Sequence, residues 1–315
     1  MFTKRGLINL FVSWRSLLKH LHREKAKEIV FISLCLLVLS LIMVIFSSLI
    51  IHMAIEGYAK LNASFFLRYS SHYSEKAGIL AALVGSLCTV TVVVFTAVPI
   101  GIMSSVYLEE IAPKNIFLSI LDVNLSNLAG VPSIVYGILG LSLFVYRLHL
   151  GRTIISAGLT LSILVLPIIV VTAREAISQV PNSLREAAYA LGATKLEVIK
   201  HHVVPYALPN IVTGVILALS RAVSETAPLV AIGAAAFLRF LPESPLQATF
   251  PFFNMHWLFS EFMSLPLQVF HWTNRPDQGF QESAAAASLI LVIMTFFLNA
   301  VSIFLRYYLI RKMKR

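Results

Sequence analysis

The stretch Ser220-Arg221-Ala222-Val223-Ser224-Glu225-Thr226-Ala227-Pro228-Leu229 sets an arginine and a glutamate four residues apart inside an apolar run of roughly 207–237. An arginine at the centre of a membrane-spanning helix costs at least about 3 kcal/mol by insertion scales, so ionisable residues there line a pathway or pair with one another. Both chemistries are open to this pair. Residues four apart share a helix face, so Arg221 and Glu225 can form an internal salt bridge. Alternatively, the Arg221 guanidinium offers a planar fork that matches two oxygens of a tetrahedral oxyanion. Glu225 would then accept a hydrogen bond from the proton of hydrogen phosphate. Sulfate has no such proton near neutral pH, and a carboxylate facing it would select against it. Ser224 and Thr226 add hydroxyls beside the pair.

A second constellation is polar. It runs Asn182-Ser183-Leu184-Arg185-Glu186-Ala187-Ala188-Tyr189-Ala190-Leu191-Gly192-Ala193-Thr194 and continues through Lys195 to Pro205. Asn182 or Ser183 is placed to cap a short helix, with Glu186 closing a capping box from Ser183. Gly192 supplies a stop, and a second helix is expected from Thr194 to Pro205. The small residues Ala187, Ala188 and Ala190 leave a face able to seat in a groove of another protein. A plain amphipathic connector on the membrane surface fits the same pattern.

Other candidate chemistry is thinner. His201 and His202 are adjacent, so on a helix they point about 100° apart and cannot chelate one metal from one face. Glu109 and Glu110 read as a solvated helix end. Cys35 and Cys88 sit in apolar runs, where cysteine behaves as a small hydrophobe. No serine, cysteine or aspartate has a convincing catalytic partner, so no catalytic residue, cofactor site or metal site is expected. The sequence holds no Gly-x-x-x-x-Gly-Lys-Ser/Thr phosphate loop, so any ATP-driven motor would be a separate subunit, binding ATP and Mg there.

The elements that must position these residues are membrane helices. Of the 315 residues, 58% are hydrophobic and only 13% charged, about half the charge of an average soluble domain. Mean hydropathy is +0.83. Apolar runs fall at roughly 29–53, 79–104, 122–146, 153–173, 207–237 and 284–305. A bilayer core needs about 20 apolar residues per helix, and lipid leaves the backbone no other bonded form. The expected fold is therefore an all-α membrane protein of about six transmembrane helices. Pro99 and Pro132 are placed to kink the second and third.

The first run starts too late and runs too long for a cleaved signal peptide. It is expected to be an anchor (29–53) after a basic segment (1–28). A core of five transmembrane helices would then occupy 79–305, followed by a basic tail (306–315). With the N-terminus in the cytoplasm, the inner segments hold seventeen of the 25 Lys and Arg. That bias puts both termini and the 174–206 loop in the cytoplasm, with 54–78 and 238–283 outside. The same bias accounts for the net charge of +10 without nucleic acid as a partner; membrane lipid is the expected surroundings. The segment 238–283 carries Pro242, Pro245, Pro251, Pro266 and Pro276 with Trp257 and Trp272. It suits either an interfacial cap for an external partner or an ordinary aromatic belt.

Two strings resemble known families. Glu186, Ala187, Ala188 and Gly192, followed by Leu208-Pro209, resemble the coupling loop of binding-protein-dependent ABC importer permeases. The stretch 221–229 resembles the Arg-Ala-x-x-Glu-Thr-Ala-Pro-Leu motif of the phosphate-specific (Pst-type) importer, A-type permease subunit. So do Asn127–Gly137, Leu265-Pro266-Leu267-Gln268 and Ala284–Ala287, and the likeness covers nearly everything beyond about residue 75. Ser224 departs from the glycine common there. Its hydroxyl could donate to the anion.

The resemblance implies a type I ABC importer permease architecture and a phosphate permease in a bacterial cytoplasmic membrane. It further implies a homologous second permease subunit, two copies of an ATPase subunit docked on the loop, and a periplasmic phosphate-binding protein. The alternatives are a permease for another oxyanion (sulfate, molybdate) or a phosphate-sensing membrane component.

Overall fold

The computed structural model describes the backbone of residues 4–113, 115–235, 237–244 and 254–313; among these, it describes side chains from Lys27 to Arg311, Phe117 excepted. Lys114, Pro245, Pro251, Lys314 and Arg315, and the side chains of the basic 1–26 stretch and of Lys312, lie outside the described residues. The chain divides into two units, Met1–Ile55 and Glu56–Arg315.

The first unit is helix α1, which runs Lys4–Gly57 without a break at the expected border near residue 28. Its span Lys27–Lys60 contains an 18-residue stretch of mean hydropathy 3.2, and apolar side chains such as Ile29, Leu37 and Ile45 are exposed along it. A helix apolar on every face meets lipid or other membrane helices.

In the second unit, α2 (Ala63–Leu67) precedes α3 (Leu80–Val106), which loosens into a π turn over Tyr107–Ile111. Helix α3 carries Pro99 and stays one helix. The expected third span is not straight. It forms α4 (Ile116–Ala129) and α5 (Ser133–Gly140, extended by a π segment to Arg147), with a bend of 99° between them. Gly130 ends α4, and Pro132, which has no N–H to continue the ladder, precedes α5. The Tyr136 hydroxyl reaches back across the bend and donates to the Leu128 carbonyl at 2.7 Å.

Helix α6 (Ile154–Ser178) is the centre of the bundle, with two thirds of its apolar window buried against α3, α5 and α9. Beyond it come α7 (Asn182–Ala190), α8 (Lys195–Val198) and α9 (Val204–Ser224). A π segment at Ile199–Val203 joins α8 to α9, so Lys195–Ser224 is one helix of 30 residues. The second helix of the polar loop therefore does not stop at Pro205. Pro205 falls just past the π segment, the widened turn at which a helix takes up a missing N–H. The fifth run, in turn, does not continue as one helix to 237. It stops at Ser224, and α10 (Ala227–Ile232) follows as a separate short helix.

Helix α11 (Leu265–Thr273) and the long α12 (Gln278–Met313) complete the unit. Among the described residues five helices are long and apolar enough to cross a membrane, or six if the bent α4–α5 pair is one span. That agrees with the expected all-α membrane protein of about six spans.

Parts of the expected outer cap are core. Trp272, Phe262, Met263 and Leu265 are almost wholly buried, the Leu265 N–H donates to Ser86 Oγ at 2.8 Å, and the 260–262 strip bonds to Ile154 and Ala235 through its carbonyls. Trp272 is thus no aromatic of an exposed belt.

Membrane helices gain little from burying apolar surface out of equally apolar lipid, so close backbone approach does the work. Gly158 lies so near Val92 that any side chain there would collide with it. Gly158→Leu is expected to wedge α3 from α6 and cost about 1–3 kcal/mol. This would be read as a lower melting temperature of the detergent-purified protein; an unchanged value would show that the seam is not close-packed.

Candidate functional site

The charged pair sits at a helix break, not in mid-helix. Pro228 cannot donate to the Ser224 carbonyl, and it restricts the residue before it, so the chain leaves the helix. Glu225 is extended (φ −73°, ψ 126°), and α10 restarts at Ala227 with Pro228 in its first turn. The break leaves the last carbonyls of α9 and the first N–H groups of α10 without helical partners. In membrane proteins, discontinuous helices of this kind mark ion and substrate sites.

The pair itself is formed. Arg221 Nε donates to Glu225 Oε1 at 3.0 Å. The arginine side chain keeps 42% of its exposure against 16% for the glutamate, so Arg221 is not the buried group expected from its place in the run. Glu225 takes the Nε edge of the guanidinium, and the Nη edge meets no acceptor among the described residues. That edge presents two parallel N–H donors, which suit two oxygens of one anion. Holding Nε fixes the plane of the fork while leaving its end free, so salt bridge and anion site are compatible readings of one geometry.

Ser224 fits the site less well than expected. Its hydroxyl donates to the backbone, to the Arg221 carbonyl at 3.0 Å or that of Ser220 at 3.2 Å, and so has no proton left for an anion. Thr226, at the start of α10, makes no side-chain cap there, but its carbonyl accepts from Leu229 and Val230.

The helices that follow the two breaks meet. Helix α5 packs on α10 through Gly137, where a Cβ would come within 2.7 Å of Pro228 and Ala231. The Asn127–Gly137 string that drew attention in the sequence is the elbow that carries α5 to this contact.

The polar loop forms a helical hairpin, with differences from the expected caps. No side chain caps α7, and Pro181 takes the capping position; the capping box is at Thr194 and Glu197. Gly192 turns with φ +85°, the left-handed conformation that glycine adopts freely, and its surroundings are open. Glu186, Ala187 and Gly192 are exposed, whereas Ala188 is buried against the end of α6 with Ile177, Val180 and Val198. Ala188 therefore holds the hairpin down, and the outward surface is made by Leu191 (90% exposed), Leu196 (71%) and Tyr189.

Glu109 and Glu110 are not a solvated end. Arg185 of α7 bridges Glu110 at 2.6 Å and also donates to the carbonyls of Val180 and Ile177. Arg174 of α6 bridges Glu109 at 2.7 Å and pairs with Asp122 of α4. Two arginines thus tie α3, α4, α6 and the hairpin together at one end of the bundle, and cavities of about 330 and 440 Å³ open beside Arg174. The sequence carried one hint: two acids and two arginines expected at the same membrane face. Among the described residues no group of three or more His, Cys, Asp or Glu is arranged to hold a metal ion.

A family model described as the binding-protein-dependent transport system inner membrane component matches residues 97–315. The chain is 35% identical over 229 residues to the phosphate transport system permease protein PstA 1 of Mycobacterium tuberculosis (strain CDC 1551 / Oshkosh), covering 72% of this chain and 70% of that one. It is 27% identical over 299 residues to the phosphate transport system permease protein PstA of Pasteurella multocida, covering 94% and 99%. Among solved structures, an inward-facing conformation of the MetNI methionine ABC transporter overlays with a TM-score of 0.54 at 17% identity, covering 71% of this chain and 93% of that one, a likeness of fold alone.

The Arg185 bridge generates a prediction. Arg185→Gln leaves Glu110, only 9% exposed, without its charge partner, and breaking a buried pair by removing one member costs several kcal/mol. Amide exchange over 181–193 is expected to rise at least about tenfold while α9 stays protected. Unchanged exchange would mean that packing at Ala188, Val198 and Val203 holds the hairpin without the bridge.

Proposed function

The chain belongs to the binding-protein-dependent transport system inner membrane component family, and from that premise we propose that it is the phosphate-carrying permease subunit of an ATP-driven importer, with Arg221 as its cargo contact. The architecture is that of a type I ABC importer permease, an all-α multi-pass membrane protein that moves its cargo without bond chemistry. The observation that carries the cargo assignment is the Arg221 fork, steered by Glu225 at 3.0 Å and open at its Nη edge beside a helix break. Relatives named as phosphate permeases support phosphate over other oxyanions. Glu225 supplies the discrimination: it accepts the proton that hydrogen phosphate carries and sulfate lacks.

The proposed assembly rests on the resemblance to Pst-type importer permeases. Two copies of a separate ATPase subunit bind ATP and Mg and dock on the hairpin of α7 and α8 around Leu191 and Leu196. A homologous second permease completes the pathway, and a periplasmic phosphate-binding protein delivers the cargo. A relative named as phosphate transport system permease protein PstC, of Haemophilus influenzae, is 31% identical over 215 residues, covering 59% of this chain and 68% of that one, which supports a pair of unlike but homologous subunits.

The excess of Lys and Arg on one side supports a topology with the hairpin and both termini in the bacterial cytoplasm. In a chain stripped of Cys35 and Cys88, single cysteines at Tyr73, Ala190 and Met255, all exposed positions, test this. In intact cells permeabilised only at the outer membrane, an impermeant thiol reagent is expected to label 73 and 255 and to spare 190. Labelling of 190 would invert the topology.

The cargo assignment is tested by removing the charges singly and together. Arg221→Gln should lower phosphate uptake at least about 100-fold, since two charge-assisted hydrogen bonds are lost at about 1.5–3 kcal/mol each. A purely structural bridge would be rescued when both charges go. Arg221→Gln with Glu225→Gln is expected to assemble normally and still fail to transport. Uptake near the wild-type level in that double variant would overturn the assignment.

A further inference from the structure

Helix α4 is tied to the bundle by one charge. Asp122 is its single ionisable residue, and among the described residues Leu118 is its one buried apolar side chain. Ile116, Ile120, Val123 and Leu128 face outward. Apolar attraction has no direction, so these groups fix α4 at no particular place. Cavities of about 330 and 440 Å³ flank the Arg174–Asp122 bridge, and Glu109, Asp122 and Arg174 line both. At this level α4 is not close-packed on α3 and α6, which leaves it room to move.

This bridge is the easiest of the ionic ties to open. Two acids share one cation, with Arg174 Nε donating to Glu109 and Nη1 to Asp122. When Asp122 leaves, Arg174 keeps Glu109, so no cation is stranded without a partner. The Asp122 side chain retains 36% of its exposure, and both flanking cavities are roomy enough for water to receive its charge. A pair so exposed is weakly held. The Arg185–Glu110 tie is of the other kind: Glu110 is buried, and Arg185 also holds the carbonyls of Val180 and Ile177.

The weak tie stands between the hairpin and the cargo break. Glu109 and Glu110 are neighbours in the π turn of α3, a loosened turn of the sort found at functional hinges. A shift of the hairpin, carried through Arg185 and Glu110, turns Glu109 and pulls on Arg174. On the far side, α4 leads through Gly130 and Pro132 into α5, and the Tyr136–Leu128 bond staples that elbow. Gly137 of α5 rests on Pro228 and Ala231 of α10, the helix that follows Glu225.

We propose that the Arg174–Asp122 bridge is a latch on α4, opened by movement of the hairpin, so that α4 and its elbow carry α5 and α10 and thereby reposition Glu225 and Arg221. Asp122 is then a positioning residue for transport. The inference rests on the permease reading above, and the first arm of its test is read without cargo.

That arm uses the whole chain in lipid nanodiscs, stripped of Cys35 and Cys88 and spin-labelled through Val123→Cys and Ser178→Cys. Asp122→Asn, which keeps the shape and removes the charge, is expected to move at least about a third of the molecules to a longer α4–α6 distance. Asp122→Arg with Arg174→Asp, which again sets one cation between two acids, is expected to restore the short distance. An unshifted distance in Asp122→Asn would overturn the proposal.

The second arm uses the reconstituted importer. Asp122→Asn should lower the phosphate moved per ATP hydrolysed at least about fivefold, a ratio that a loss of folded protein alone would leave unchanged. Ser126→Cys and Ser178→Cys face one cavity between α4 and α6. Joining them with a short, reducible bifunctional thiol reagent should lower uptake at least about tenfold, and reduction should restore it. Wild-type uptake in the joined protein would mean that α4 need not move, and would overturn the latch. A wild-type importer that moved no phosphate would fault the cargo assignment instead, and the spin-label distances would still decide the latch.

Discussion

Lipid supplies no hydrogen-bond partner, so each backbone group within the bilayer must be bonded inside the protein. That constraint makes the long helices continuous, and it gives the few interruptions their meaning. Helix α9 gives up its ladder at Glu225, and α4 gives up its own at Gly130. At both interruptions the chain resumes in a helix, α5 or α10, and these two helices meet through Gly137. At one of them an arginine and a glutamate replace the missing backbone bonds as the local polar groups. The charged pair is affordable in a membrane because the break around it is already polar.

The opposite logic governs the end of the bundle that carries the hairpin. There ions join the helices in addition to close contacts such as Gly214 against Thr172. Arg174 gathers Glu109 and Asp122, and Arg185 gathers Glu110 and two carbonyls. The hairpin is thus bonded to α3 and α6 as well as being continuous with α9 through the π segment at Ile199–Val203. A push on Leu196 would reach α9, and with it Arg221, along the helix from Lys195 to Ser224. Under the proposed function, that helix is a route by which a docked motor would move the cargo site.

The spans were legible because a run of about 20 apolar residues has few other uses, and Gly192 was legible because a helix–turn–helix junction favours a residue free to take positive φ. What escaped the sequence depended on partners distant in the chain. Glu109 and Glu110 looked solvated until Arg174 and Arg185, more than sixty residues on, came beside them. Ala188 looked like docking surface until α6 covered it. The break at Glu225 was written in Pro228, but the apolar run on both sides concealed it. Trp257 and Trp272 looked alike in sequence, yet one is core and the other lines a cavity.

Under the proposed function, Arg221 acts through the geometry of its fork and not through charge alone. Lysine at this position keeps the charge but has a single ammonium that cannot present two parallel N–H groups. The direct measurement is ATP-driven uptake of radiolabelled phosphate by the reconstituted importer carrying Arg221→Lys, with its assembly checked beforehand. The fork account predicts uptake lowered at least about tenfold in a fully assembled complex. Uptake at the wild-type rate would show that any cation suffices there, and would contradict it.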